Sequence, residues 1–206
     1  MNFCILNAKV NKMILSNYGE IYGKEKMMKQ ENNKEITLGG GCFWGTEKYF
    51  QVIKGVVKTE VGYANGKTLN PTYEEVCSHK TGHAEVVKLV YDNSVVSLPF
   101  LLNMYYQVID PVAVNCQGND VGVQYRTGIY YSDALDKEVI LKSLEELQTH
   151  FNAPIAVEVL PLENYSSAEE YHQKYLDKHP GGYCHIGKAA FKKAAQAVDQ
   201  SDSRNK

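Results

Sequence analysis

Residues 34–54 read Lys34-Glu35-Ile36-Thr37-Leu38-Gly39-Gly40-Gly41-Cys42-Phe43-Trp44-Gly45-Thr46-Glu47-Lys48-Tyr49-Phe50-Gln51-Val52-Ile53-Lys54. A short run from Glu35 to Leu38 predicts a strand, which meets three glycines, then Cys42, then a helical pattern. Glycine adopts positive φ and tolerates close approach to the backbone, so Gly39, Gly40 and Gly41 are expected to serve one or both ends. Cys42 falls in the first turn of the predicted helix, where unpaired N–H groups and the helix dipole favour a thiolate. An ordinary thiol titrates near ~8.5, and lowering that by ~1.5 units takes about 2 kcal/mol. The dipole supplies ~0.3–1 kcal/mol, so another donor or charge must supply the rest. Phe43 and Trp44, the chain's one tryptophan, stand beside the sulfur. A buried helix is the competing reading, since free cysteine often packs as a small hydrophobe. Three preceding glycines favour the nucleophile.

Outward from this stretch, 206 residues suit one domain with tails and can bury a substantial core. A net charge of −2 and a pI near 6.3 argue against a nucleic-acid binder. No apolar run approaches the ~18 residues a membrane span needs. The first 33 residues lack the h-region and cleavage site of a secretory signal and end in a polar stretch, so a disordered extension is expected there. The working domain is expected over 34–198, with 199–206 a polar tail. Five cysteines, at 4, 42, 77, 116 and 184, form neither a disulfide framework nor a C-x-x-C metal site. A reducing cytoplasm fits them.

In chain order, Val57, Thr59, Val61 and Tyr63 alternate onto one face of a strand. Ala64-Asn65-Gly66 is a turn, and Tyr73 to Val76 one helical turn. In the strand from His83 to Tyr91, Glu85 shares a face with Val87, Leu89 and Tyr91. An ionised carboxyl on an apolar face is costly, so Glu85 is expected to titrate high and act as a neutral acid, unless solvated at the strand end. Ser97 caps an apolar helix reaching about Val108, which Pro111 stops. Residues 110–128 have no clean period, and an irregular loop of that length in a compact domain points to function. Asp133 to Phe151 is an amphipathic helix, and Ile155 to Leu160 a strand. Ser166 with Glu169, or Ser167 with Glu170, reads as a capping box opening a helix through Tyr175. Cys184 lies in a glycine-flanked loop before a last helix, Lys188 to Val198.

Five stretches in order resemble the A-type peptide methionine sulfoxide reductases. They are Gly41-Cys42-Phe43-Trp44-Gly45, residues 70–77, Thr81-Gly82-His83-Ala84-Glu85-Val86-Val87, the loop 117–126, and residues 169–176 with Gly182-Tyr183-Cys184. The likeness covers roughly 35–186. The chain departs from that pattern at Ile109 and Val112, and at Cys116, an extra thiol with no role to inherit.

The resemblance implies an α/β (α+β) two-layer sandwich with a central mixed sheet, flanking helices and a ferredoxin-like core. It implies reduction of the S-epimer of methionine sulfoxide, free or in peptides and proteins. Cys42 would attack the sulfoxide sulfur, with Glu85 the acid and Tyr73 and Tyr125 hydrogen-bonding the oxygen. Phe43 and Trp44 would hold the methyl group. Asp120 would orient the loop, and His172 would either line the pocket or be a structural hydrogen-bonder. Cys42 would pass through a sulfenic acid to a disulfide with Cys184, opened by thioredoxin or dithiothreitol, with no bound cofactor or metal. A monomer is expected. A cysteine hydrolase using His83 or His172 as base, which would need no reductant, and a thiol metal module are the rival classes.

Overall fold

The computed structural model describes residues 32–200. The expectations for 1–31, including Cys4, and for 201–206 lie outside the described residues. In chain order the elements are β1 (Asn33–Gly39), α1 (Phe43–Gln51), β2 (Val56–Ala64), α2 (Tyr73–Cys77), β3 (Ala84–Asp92), α3 (Leu98–Tyr106), β4 (Cys116–Gln117) and β5 (Asp120–Val121). A 3-10 turn, Val123–Tyr125, leads to β6 (Gly128–Tyr131), α4 (Asp136–Gln148), β7 (Glu158–Pro161), β8 (Ser166–Ser167), α5 (Tyr175–Lys178) and α6 (Lys188–Gln196).

Six strands form one mixed sheet in the order β7-β6-β1-β3-β2-β8. β1 with β6, β2 with β3 and β2 with β8 run antiparallel, while β6 and β7 run parallel. One face of the sheet carries Ile36, Leu38, Val61, Tyr63, Val87, Leu89, Tyr91 and Ile129. These pack with Phe43, Tyr49 and Phe50 of α1, Leu101, Leu102 and Tyr105 of α3, and Ile140 of α4 in one core. The other face carries Ala64, Ala84, Val86 and Tyr130, covered by Leu162 and Tyr165. The expected two-layer arrangement is what forms. Because strand side chains alternate, the row that sends Val87, Leu89 and Tyr91 under the helices sends Glu85 there too.

Local chemistry explains most boundaries. Ser97 caps α3 by accepting the Phe100 N–H at 3.4 Å. A capping box does occur, but at Thr72 and Glu75, where α2 starts. The predicted β2 face holds from Thr59 to Tyr63. Val57 breaks it: a register shift between Val56 and Lys58 leaves Val57 59% exposed.

The helix predicted to run from the Ser166 or Ser167 cap through Tyr175 is corrected. Ser166 and Ser167 pair with Tyr63 and Gly62 as β8, and residues 170–174 are turns. The side chains that suggested a cap are spent on the sheet instead. Glu169 accepts the Tyr63 hydroxyl at 2.8 Å and the Tyr73 N–H at 2.9 Å. Gln173 bonds both the N–H and the carbonyl of Val61. Lys174 sits at φ 51°, outside the right-handed helical region, so only the four residues of α5 follow.

Candidate active site

Strand β1 ends at Gly39 in the middle of the sheet, so the glycines deliver Cys42 to the strand end beside β3. Of the three, Gly41 alone takes positive φ, at 79°. Its missing side chain also makes room for the molecule's own loop, since a Cβ there would stand 2.6 Å from Gln117 Cβ. Gln117 is held by two bonds to the backbone of Asp110, at 2.8 and 2.9 Å. The close approach expected of the glycines is thus filled from within.

Cys42 is the residue that caps α1 rather than a member of its first turn, and it is 7% exposed. Burial pushes its thiol well above the ordinary range, and Glu85 adds to that. The Trp44 N–H pulls the other way. The resting sulfur is therefore a protonated thiol, which corrects the expectation of a thiolate set up by the helix start. Desolvation outweighs a dipole worth about 1 kcal/mol or less.

Glu85 is 2% exposed, and its Oε2 accepts the Phe43 N–H at 3.1 Å. Burial pushes its carboxyl up to about 8, against the Phe43 bond and with a contribution from Asp120. At neutral pH it is mainly a neutral acid, with Oε1 left to carry the proton. The apolar-face alternation had pointed to that state.

Around this pair, burial raises the hydroxyls of Tyr73 and Tyr125, and both feel the charge of Glu85; Tyr125 also feels Cys42 and Asp120. They stay protonated as donors. Tyr73 is fixed at the start of α2, with its ring 4.6 Å from His172, and Cys77 shares a hydrogen bond with its hydroxyl one turn on. Phe43 is buried against Tyr63 and His172, with ring centroids at 5.9 and 5.1 Å. Trp44 stacks on Tyr175 at 3.8 Å, and its Nε1 donates to His172 Nδ1 at 3.1 Å. His172 is 2% exposed and held neutral by burial. Its Nδ1 is taken up with Trp44, while its buried Nε2 has no hydrogen-bond partner among the described residues.

Cys184 is half-buried, and its thiol donates to the Ile186 carbonyl at 3.2 Å. A Cβ added at Gly45 would lie 2.9 Å from its sulfur, so the expected resolving thiol sits on the first turn of α1. Asp120, on β5, approaches His185 Nδ1 at 3.9 Å. Cys116, on β4, is half-buried and free. Sequence reasoning missed Tyr63, Glu169, Tyr175 and His185. Tyr63 was within reach, because it lies on the face that Thr59 and Val61 share in the predicted strand, and it pairs with Glu85. Among the described residues no group of three or more His, Cys, Asp or Glu could hold a metal ion. Among them no helix is long and apolar enough to cross a membrane.

A buried thiol, a neutral carboxylic acid bonded to the N–H of the next residue, phenol donors and a second thiol packed against the same helix turn define a thiol-redox enzyme of α/β fold. The model of the peptide methionine sulfoxide reductase family matches residues 34–204. A peptide methionine sulfoxide reductase MsrA of Lachnoclostridium phytofermentans is 61% identical over 165 residues, covering 80% of this chain and 99% of its own. Reduced Mxr1 of Saccharomyces cerevisiae superposes with a TM-score of 0.72 at 37% identity, over 76% of this chain and 92% of that one. Mxr1 in complex with Trx2 aligns with a TM-score of 0.51 at 26% identity, over 70% and 86%. The chain belongs to the peptide methionine sulfoxide reductase family.

Proposed function

We propose that this protein reduces the S-epimer of methionine sulfoxide, in peptides and proteins and as the free amino acid, and is recycled by thioredoxin in the cytoplasm. One observation carries the residue assignment: Glu85 takes a hydrogen bond from the residue next to Cys42, at 3.1 Å. That sets a neutral acid beside a thiol where both side chains are largely shielded from water.

The acid protonates or hydrogen-bonds the sulfoxide oxygen through Oε1, and Tyr73 and Tyr125 donate to the same oxygen. With its oxygen so engaged, the sulfoxide sulfur becomes more positive, which supplies the charge that Cys42 lacks at rest and favours loss of its proton. Cys42 Sγ attacks that sulfur, and methionine departs as the thioether. The oxygen and one proton remain as the sulfenic acid of Cys42. Phe43 and Trp44 form the apolar wall for the methyl group, with Trp44 fixed by Tyr175 and His172. Cys184 displaces the oxygen as water, giving a Cys42–Cys184 disulfide. Thioredoxin opens it by exchange, a step supported by the complex that yeast Mxr1 forms with Trx2. The chemistry asks for no bound cofactor. We take 34–198 as the catalytic unit, because every assigned residue falls within it, and the active species as the monomer.

Turnover of separate S- and R-epimers with dithiothreitol and with thioredoxin tests the proposal. S-epimer turnover is expected, and Cys42→Ser should abolish it. Cys184→Ser should keep the first methionine released but lose thioredoxin-coupled recycling. Equal rates on both epimers, or activity without Cys42, would sink the assignment. Intact thioredoxin coupling in Cys184→Ser would move the resolving role to Cys116.

A further inference from the structure

His185 has no part in the chemistry above. It follows Cys184 directly, and its side chain is 7% exposed. The imidazole lies across the entry to α1. A Cβ added at Gly41 would stand 3.3 Å from its Cε1. One added at Gly45 would stand 3.5 Å from its Nδ1 and 2.9 Å from Cys184 Sγ. The imidazole and the second thiol therefore flank one point on the first turn of the helix that Cys42 caps. The same nitrogen, Nδ1, lies 3.9 Å from Asp120 Oδ2. Both ring nitrogens and Asp120 Oδ2 are buried and lack a well-aligned hydrogen bond among the described residues, the Gly40 backbone approaching the ring and the Tyr183 hydroxyl engaging Asp120. Buried polar groups held this loosely are unusual unless they are used at another stage.

The titratable groups around the ring are Asp120 from β5, Tyr183 and Cys184 from its own segment, and Cys42 from the head of α1. Tyr183 feels Asp120, Cys42 and Cys184 in turn, and Glu85 reaches the cluster through Cys42. Burial holds the imidazole below its ordinary range, with Asp120 and the Gly40 backbone opposing. At neutral pH it is an unprotonated base.

We propose that His185, backed by Asp120, takes the proton of Cys184 when that thiol resolves the sulfenic acid on Cys42. The inference rests on the function proposed above and adds a base to its second step. The Cys184 S–H bond breaks and its proton moves to the imidazole. Cys184 Sγ then attacks Cys42 Sγ, the S–S bond forms, and the Cys42 S–O bond breaks. The oxygen leaves as water with the proton the imidazolium returns. Cys184 is oxidised and Cys42 reduced, so no outside oxidant or reductant enters. Asp120 stabilises the imidazolium between the two transfers. The thiol must first leave the Ile186 carbonyl it binds at rest.

Rapid-quench single turnover of the full chain on the S-epimer, without added reductant, separates the steps. Methionine formed counts the first, and free thiols lost count the second. In His185→Gln we expect methionine formation within about two-fold of wild type, but disulfide formation slower by about ten-fold or more. In wild type the disulfide step should rise with pH through the low imidazole range and then level off. In the variant it should follow the thiol into the alkaline range, because burial raises Cys184. An unchanged disulfide rate in His185→Gln, or equal slowing of both steps, would overturn the proposal. So would a wild-type rate that keeps rising with the thiol, a readout that needs no variant to fold. Failure to form methionine at all would overturn this proposal together with the one it rests on.

Discussion

Cys42 and Glu85 are coupled, because either one loses its proton more readily while the other keeps its own. Glu85 is the group poised near neutrality, at about 8. The acid form is the active one, so kcat/KM should fall as pH rises through about 8. Glu85→Gln, which cannot give up a proton, should lower kcat/KM by ~10²–10³-fold and lose that alkaline limb. A pH profile of both proteins checks this; an unchanged limb in the variant would assign it to another group. The alternation of one strand made Glu85 legible from sequence. The resting protonation of Cys42 was not legible, since it depends on how completely the neighbouring elements exclude water.

At the scale of elements, the wall behind Trp44 hangs on a buried carboxylate. Glu47, on α1, is 1% exposed. Its oxygens accept the Thr59 hydroxyl at 3.1 Å and the Lys174 N–H at 2.7 Å. That bond holds Lys174 at φ 51°, the bend that starts α5 and sets Tyr175 on Trp44. Glu47→Ala should destabilise by about 1–3 kcal/mol in urea titrations, by orphaning the Lys174 N–H. It should also raise KM more than it lowers kcat, since the damage is to the methyl wall. Ser97 does a plainer job. Its hydroxyl accepts the Phe100 N–H and donates to Asp199 Oδ2 at 2.5 Å, joining the start of α3 to the segment after α6. Ser97→Ala should cost about 1 kcal/mol with kcat/KM unchanged.

For the whole molecule, Glu85 ties stability to pH. Its folded value lies above the ordinary carboxyl range, so the native state holds the proton more tightly than the unfolded chain. The stabilisation is full in acid and is lost as pH rises to about 8. Between pH 5 and pH 9 the wild type should lose about 3–4 kcal/mol more than Glu85→Gln does. Denaturant titrations of both proteins at the two pH values measure the difference. No difference would mean that the carboxyl ionises without strain. Removing residues 1–31 should leave kcat/KM unchanged, since the residues assigned to the chemistry begin at Cys42.

What the sequence determined by itself was whatever rests on neighbours along the chain. The alternation in β3 chose the face of Glu85, the glycines marked the break before Cys42, and Ser97 announced α3. Five ordered stretches carried the family. What only the tertiary structure decided rests on distant partners. Glu169 docks on β2 rather than capping a helix, and Gln173 docks there rather than continuing one, because the Val61 and Tyr63 groups they bind lie over a hundred residues away. His172 became the support of Trp44, and His185 came to lie against Gly41 and Gly45, near Cys184 and Asp120. Those outcomes follow from which buried polar groups find partners once the elements pack, a contest no local stretch of sequence records.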